Sequence, residues 1–579
     1  MNVTEKITQW ISALGWGVRA KLIVLFIAIK IVPLVLLALV AWRQAQHLGD
    51  DLRERTSEIV ENSYTALFEA GELAVNDTIV ALDNRATQEI ERLTTDTAWE
   101  VAHFLYNIDS EARYAATLPV DEANYRKYVT TKVRRVVKPG EWVLAPDKLS
   151  WVRKDDFVEK TAITSSIEEN ANRFNYIPPI PFEYEEIPLF LEMTFVDLQG
   201  NETVKVTTSP LVSDECKNIA QRENTFIKAE TYFEEVKTLE PGEIYVSEVI
   251  GEYVGSKIIG RYLPSTAEKA NIPFEPEKSA YAGQENPLGK KFEGLIRWAT
   301  PVIRDGKKIG YVTLALNHQH VMEFTNRLMP TESRYTELAD AYEGNYAFIW
   351  DYKGRSIVHP RHFSIVGYDA ETGDPQVPWL EDTIYNAWQE SGKSYVDFIQ
   401  DQPTFLEQSN SKRAAPELTK EGYVGLDCRY LNFAAQCTGW FDLTREGGSG
   451  SFVILWSGLW KLNTAGTIPY YTGRYGESPR GFGFVAIGAN VEDFHFPATK
   501  TEKDLKGLLT NADAGLKDMA QKTNDSIASN PFDTAVSLAG STFIMSVLVV
   551  LVAVWLASLL TKKITYIIQG ITRFQEGER

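Results

Sequence analysis

The sequence predicts an α+β protein in which a long N-terminal helix precedes two tandem antiparallel-sheet modules, the whole flanked by two transmembrane helices. Three observations predict this. Near the start, apolar residues recur at alternating three- and four-residue spacing, as one face of a helix requires; further on the period becomes two, as a half-buried strand requires. The strand-rich pattern then begins a second time. Finally, two apolar runs, at 22–42 and 535–560, bracket everything else, and each reaches the ~20 residues needed to cross a hydrocarbon core.

The charge distribution orients the two runs. The formal net charge is −19, but residues 1–21 and 561–579 each carry +2. Lys30 and Arg43 add a further +2, so the stretch 44–534 carries −25. Basic flanks at both outer ends place the termini in the cytoplasm and residues 43–534 outside. The expected arrangement is therefore a two-pass protein of the cell inner membrane. The first run exceeds a signal-peptide core and is followed by no small-residue cleavage site. Lys30, inside it, snorkels to an edge or faces a neighbouring helix. An acidic chain lacks the basic face that nucleic acid demands, which excludes that partner. Cys428 and Cys437, nine apart, are either a disulfide or two buried thiols, and Cys216 is left single.

Along the chain, residues 1–21 read as a cytoplasmic N-terminus, 22–42 as the first span, and 43–328 as a long helix with a membrane-distal sheet module. A membrane-proximal module follows at 329–500, then a helical stalk at 501–534, the second span at 535–560 and a cytoplasmic tail at 561–579. The helix stripe is Ile79, Leu82, Ala86, Ile90, Leu93, Thr97, Val101, Phe104 and Ile108, expected to be core. Strands are expected at 191–197, 202–206, 243–248, 257–262, 292–303 and 308–316. Arg304-Asp305-Gly306-Lys307 marks a hairpin turn between the last two. A helix is expected at 318–328. The second module opens with a hairpin over 346–359, turning at Asp351-Tyr352-Lys353-Gly354. Its further strands are expected at 394–399, 451–457, 466–471 and 483–489, and a helix from 491 to 529 leads back to the membrane.

This layout resembles the double Cache (PAS-like) sensor domains of bacterial chemoreceptors and sensor kinases. The resemblance is carried by Ile244-Tyr245-Val246-Ser247, by Ile296-Arg297-Trp298-Ala299-Thr300-Pro301-Val302 and by Gly310-Tyr311-Val312-Thr313-Leu314-Ala315-Leu316-Asn317, which look like the closing strands of a distal module. Phe348-Ile349-Trp350-Asp351-Tyr352-Lys353-Gly354-Arg355 with His359-Pro360 looks like the opening hairpin of a proximal one. The basic, amphipathic tail from Thr561 to Arg579 resembles the first helix of a HAMP linker. The resemblance implies an extracytoplasmic small-molecule sensor that passes ligand state through the second span to HAMP, as in chemotaxis. The alternative is the sensor portion of a membrane enzyme (histidine kinase, phosphatase or nucleotide cyclase) whose catalytic module lies beyond residue 579. A HAMP relay takes helices from two chains, so a homodimer is expected.

No catalytic constellation is present: the phosphate-loop, HExxH and GxSxG patterns are missing, and neither an enzyme within these residues nor a cofactor or metal is expected. His318 and His320, like His359 and His362, read as turn and corner residues. By the resemblance, the ligand pocket lies on the distal sheet. Arg261 and Arg297, on strands there, are the residues able to grip an anionic ligand through paired hydrogen bonds. Tyr245, Tyr262, Trp298 and Tyr311 supply walls. The spacing of Arg, Trp and Tyr found in amino-acid-binding members is absent. The aromatic stretch from Trp456 to Tyr475 reads as packing of the second module rather than as a second pocket.

Overall fold

The computed structural model describes Gln9 and residues 18–154, 182–330, 335–403, 416–431, 434–456 and 458–529. Two compact units are formed: residues 1–83 with 495–579, and residues 84–494. The first helix, α1, runs Val18–Ala115 over 98 residues, and α2 (Glu122–Thr131) is capped by the Asp121 side chain. The backbone of the first expected span, 22–42, belongs to α1, and its side chains lie outside the described residues, as do the second span, 535–560, and the HAMP-like tail, 561–579. Among the described residues no helix is long and apolar enough to cross a membrane. In the first unit Thr56, Val75, Leu516 and Thr523 are buried.

The second unit carries both sheets. Two small ribbons come first, pairing β1 (Val133–Val137) with β4 (Tyr184–Pro188), and β2 (Trp142–Leu144) with β3 (Trp151–Arg153). The distal sheet contains β5 (Phe190–Val196), β6 (Glu202–Thr207), β7 (Tyr245–Val246), β8 (Ile250–Gly251), β9 (Gly294–Arg304) and β10 (Lys307–Asn317) in the order β6-β5-β10-β9-β7, with β8 also on β9. Asp305 and Gly306 both have positive φ, 48° and 74°, which is the geometry a two-residue hairpin needs to match strand twist. The second sheet is β11 (Tyr346–Asp351), β12 (Ser356–Val358), β13 (Ser449–Trp456), β14 (Leu459–Ile468) and β15 (Gly483–Asn490), ordered β12-β11-β15-β14-β13. All pairings within these two sheets are antiparallel.

Both sheets present one face to α1. From α1, Ile90, Val101, Leu105, Ile108 and Ala112 are buried in one continuous core with Met193, Ile296, Trp298, Val312 and Leu314 of the distal sheet and Ile349, Leu462, Val485 and Ile487 of the second. The later part of the expected stripe lies on this face, with Ile90, Thr97, Val101 and Ile108 buried and Leu93 and Phe104 packed beside them, whereas Ile79 packs with Leu67 and Val75 in the first unit and the side chain of Leu82 lies outside the described residues. Polar contacts fix the register. The Asp109 carboxylate, 2 % exposed, accepts hydrogen bonds from Trp298 Nε1 at 2.8 Å, the Tyr470 hydroxyl at 2.6 Å and the Thr472 hydroxyl at 2.5 Å. Further along α1, the Thr94 and Thr464 hydroxyls meet at 2.5 Å and Ser451 donates to Glu91.

Several expected elements differ: the strand expected at 466–471 is the end of β14, which begins at Leu459 and stops at Ile468, and of 243–248 only Tyr245–Val246 is strand. Residues 257–262 form no strand, and their chain leads into a short helix at Pro264–Lys269. Residues 394–399, read as a strand from Tyr, Val, Phe and Ile, form a helix over Tyr395–Gln400. The Ser394 side chain accepts from the Asp397 N–H there, so a cap overrides β-propensity. The helix expected at 318–328 is a single turn, Gln319–Met322. Beyond the sheets, α3 (Ala435–Thr444) lies over the second sheet and α4 (Val491–Ser529) starts directly at the end of β15.

Removing Asp109 takes the acceptor from three donors, of which Trp298 Nε1 keeps the Tyr470 hydroxyl at 3.2 Å, and hydrogen bonds to a charged group contribute about 1.5–3 kcal/mol each. Asp109→Ala is therefore expected to lower stability by about 2–4 kcal/mol, whereas Asp96→Ala, at an exposed pair with Arg92, stays within about 0.5 kcal/mol. Denaturant titration of the two variants checks this, and equal losses would deny Asp109 its role.

Among the described residues four histidines, His318, His320, His359 and His362, are buried. Burial pushes His318 and His362 down to about 3, His320 to about 4, and His359 well below the usual range. In the unfolded chain histidine titrates near ~6.5, so below that pH the unfolded state binds more protons. Stability is expected to fall as pH drops from about 6.5 towards 4, by up to about 1.4 kcal/mol per unit for each such histidine. His318→Phe is expected to flatten the slope by one histidine's share in denaturant titrations at pH 7, 6 and 5, and an unchanged slope counts against a neutral buried His318.

Candidate functional site

Period-two alternation decides what each strand can offer away from α1. On the distal sheet that second face carries Glu192, Thr194, Arg297, Ala299, Tyr311 and Thr313. Loops close over it with Tyr232, Phe233 and Val236, which pack on Tyr245, Ala299 and Tyr311. Arg297, 3 % exposed, donates Nε to Glu230 Oε1 at 2.7 Å and one terminal nitrogen to Glu230 Oε2 at 2.9 Å, while the other terminal nitrogen meets Glu192. Its guanidinium lies 4.9 Å from the Tyr232 ring centre. Lys205 completes the cluster between Glu192 and Glu202, at 3.4 and 3.0 Å. Burial acts to raise the Glu192 carboxyl, yet Arg297 and Lys205 beside it hold it below the usual range. Arg297 is thus engaged by carboxylates of its own chain.

The other expected residues are scattered by the same geometry. Tyr245 and Tyr311 share the face of Arg297: Tyr245 stacks on Tyr232 at 6.0 Å, and the Tyr311 hydroxyl donates to the Lys237 carbonyl. Trp298, next in sequence to Arg297, must point the opposite way and donates to Asp109. Arg261 and Tyr262 are off the sheet, because 257–262 is irregular. Arg261 rests on the Tyr342 ring at 4.2 Å and lies 3.8 Å from Glu343. Tyr262 belongs to a small separate cluster with Ile258 and Ala267, its carbonyl accepting from Trp151 Nε1.

The second sheet is built differently. Its face away from α1 carries Tyr346, Phe348 and Trp350 from β11, Lys461 and Asn463 from β14, Gly488 from β15, and Ile454 and Trp456 from β13. The roof is α3 with the chain before it: Gln436, Cys437, Trp440, Leu431 and Leu426. Between them is an empty space of about 600 Å³, part of it open to solvent. Trp440 packs on Phe348 and on Trp350, each at 5.4 Å between ring centres. The Cys428–Cys437 disulfide, Cα atoms 5.2 Å apart, ties the start of α3 to the chain leading into it, which closes the alternative of two buried thiols. Cys216 is exposed.

Several polar groups in this lining have no partner. Trp350 Nε1, Trp440 Nε1 and Gln436 Oε1 are buried without a hydrogen bond, an arrangement costing roughly 1–3 kcal/mol per group. Lys461 is 6 % exposed, and among the described residues no carboxylate pairs with it; its ammonium stands 5.4 Å from the Tyr346 ring centre. Burial pulls Lys461 down to about 8, with nearby Arg361 adding to the effect and Glu285 opposing it. The stretch containing Trp456, expected to be packing alone, therefore contributes to a cavity. Lys461, Gln436 and Trp440 were missed by sequence reasoning. The available signal was a lysine at a mid-strand position whose in-register neighbours are buried. Among the described residues no three His, Cys, Asp or Glu side chains are grouped as a metal requires.

No family model matches the sequence, and no curated protein does. Solved structures with some likeness include a domain described as from a sensory box/GGDEF family protein of Vibrio parahaemolyticus, with 11 % identity, TM-score 0.33, and 71 % of this chain and 98 % of that one covered. The ligand-binding domain of the Pseudomonas aeruginosa amino-acid chemoreceptor PctB, in complex with L-Arg, is 11 % identical with TM-score 0.27, covering 71 % and 97 %. That of the Pseudomonas fluorescens chemoreceptor CtaA, in complex with L-leucine, is 10 % identical with TM-score 0.26, covering 76 % and 99 %. TM-scores this far below 0.5 carry no argument about this chain.

Because the disulfide holds the cavity roof, Cys437→Ser is expected to lower stability by about 2–4 kcal/mol. Thermal melts with and without reductant check this: the parent chain and Cys216→Ser lose stability on reduction, whereas Cys437→Ser is insensitive to it. A parent melt unaffected by reductant would remove the disulfide from the account.

Proposed function

We propose that this chain is the sensing part of a two-pass inner-membrane receptor that binds a small molecule in the cavity of the second sheet. The carrying observation is that cavity: an aromatic enclosure in which two indole N–H groups and an amide oxygen are buried without partners, and into which a buried lysine without a carboxylate partner among the described residues projects. Buried polar groups are normally satisfied, so a site that gathers several unsatisfied ones beside empty space is suited to a ligand that supplies the missing partners. The distal face offers less, since a ligand reaching Arg297 must first displace Glu230 or Glu192.

In this reading residues 22–42 and 535–560 span the membrane, 43–534 lie outside, both termini are cytoplasmic, and the tail at 561–579 relays the signal within a homodimer. A bonded Cys428–Cys437 pair suits an oxidising compartment. The route for the signal is short. Gly488 lines the cavity, and two residues later β15 ends at Asn490, where α4 begins. Asn345 clamps that junction: its side-chain oxygen accepts from the Asn490 N–H and its amide donates to Asp493 at 2.6 Å. A ligand with differential affinity for two placements of β15 shifts α4 with it, and a tenfold preference is worth about 1.4 kcal/mol.

The test has two arms. A ligand present at a hundredfold excess over Kd stabilises by about 2.7 kcal/mol, so a screen of small molecules against the purified full chain is expected to find one class that raises Tm. Gly488→Val, whose Cβ meets only Gly344 O at 3.6 Å and Asn463 Oδ1 at 3.7 Å, fills the cavity and is expected to abolish the rise. A rise surviving in Gly488→Val moves the site elsewhere. For topology, exposed Cys216 is expected to react with a membrane-impermeant maleimide in spheroplasts; labelling only after lysis would place 43–534 inside.

A further inference from the structure

The cavity of the second sheet also states the chemistry of its occupant. Among the described residues its lining contains no aspartate or glutamate, and its single charged side chain there is Lys461. The buried unpaired groups around the space are two donors, the indole N–H groups of Trp350 and Trp440, against one acceptor, Gln436 Oε1, and the Lys461 ammonium adds a charged donor. The walls are flat and apolar. Resting on the sensor reading above, we infer that this cavity takes a small organic carboxylate with an apolar body, its carboxylate at Lys461 and its body against the aromatic lining that includes Phe348, Trp350 and Trp440.

An aromatic enclosure can also recognise cations through ring faces, and the electrostatics decide against that here. Lys461 already stands over the Tyr346 ring. Arg361, whose charge acts on Lys461, is matched by Glu285, with bonds of 2.6 and 2.7 Å. His359, in the same lining, is held neutral by burial, its Nδ1 accepting from the Arg361 N–H. The groups facing Lys461 are thus an aromatic ring, a matched Arg–Glu pair and a neutral imidazole, leaving one unmatched positive charge. A second cation meets repulsion, a neutral molecule leaves the ammonium unpaired, and an anion satisfies it through a charge-assisted bond. Such a site rejects analogues that lack the charged acceptor more strongly than it discriminates among apolar bodies.

The inference is tested on the purified full chain in detergent with four probes, benzoate and butyrate and their neutral amides benzamide and butyramide, by thermal shift and calorimetry. At least one acid is expected to bind tenfold or more tightly than its amide. Lys461→Met is expected to weaken the acid by at least tenfold, and Lys461→Arg to restore most of it. Because Lys461 loses its proton near pH 8, acid affinity is expected to fall up to tenfold per unit above that pH while amide affinity stays level. An amide that binds as well as its acid, an acid unaffected by Lys461→Met, or silence from all four probes overturns the carboxylate assignment. Amide binding that Gly488→Val removes would overturn that assignment while leaving the cavity as the sensor site. Acid binding that persists in Gly488→Val would defeat the cavity reading itself.

Discussion

Asp109 holds one turn of α1 against both sheets at once, and the arrangement of residues 84–494 depends on it. Its carboxylate accepts from Trp298 on β9 and from Tyr470 and Thr472 in the connection between β14 and β15. A buried carboxylate is tolerable only when its lone pairs are occupied, so three donors from two separate sheets converge on a single residue of the helix. Apolar packing along Ile90, Val101, Leu105 and Ile108 supplies the bulk of the contact but is indifferent to small slides. The hydrogen bonds to Asp109, with Thr94 on Thr464 and Ser451 on Glu91, make one register better than its neighbours.

A second layer of charge joins the sheets directly. Glu248, just beyond β7, meets Arg355 and Lys353 of the second sheet's opening hairpin at 2.5 and 2.6 Å and accepts from the Tyr352 hydroxyl. Burial acts to raise this carboxyl, but Arg355, Lys353 and Arg474 hold it well below the usual range. Arg361 and Glu285 form a second bridge, and the Phe292 N–H donates to His362 Nδ1 at 2.7 Å. The two sheets are thus bound through a shared helix and paired charges, and β15 runs directly into α4.

The two faces turned away from α1 show how similar sheets diverge. On the distal one the cation and its carboxylates are all supplied by the chain, so the face is internally neutralised and closed by Tyr232 and Phe233. On the second, Lys461 has no carboxylate partner among the described residues and the aromatic residues enclose space instead of filling it. The difference in charge rests on a few positions: Glu192 and Glu230 surround Arg297, whereas among the described residues no acidic one lines the cavity beside Lys461.

The amino-acid sequence by itself determined the elements with strong local signals. The 3.6-residue stripe on α1, the Asp305-Gly306 hairpin and the alternating strands of β5, β6, β9–β11 and β15 are legible because side-chain direction follows from backbone period. The same rule shows why Arg297 and Trp298 cannot share a site. Local signals failed where a cap outweighed β-propensity, at Tyr395–Gln400, and where an apolar run had no partner strand, at 257–262. Only the tertiary structure decided which charges are matched. Arg297 and Lys461 look alike along the chain, each a cation beside tryptophan in a strand. Glu192 and Glu230, 105 and 67 residues away from Arg297, neutralise the first, and among the described residues no carboxylate pairs with the second. Pairing of that kind is set by long-range contact, which a local pattern does not encode.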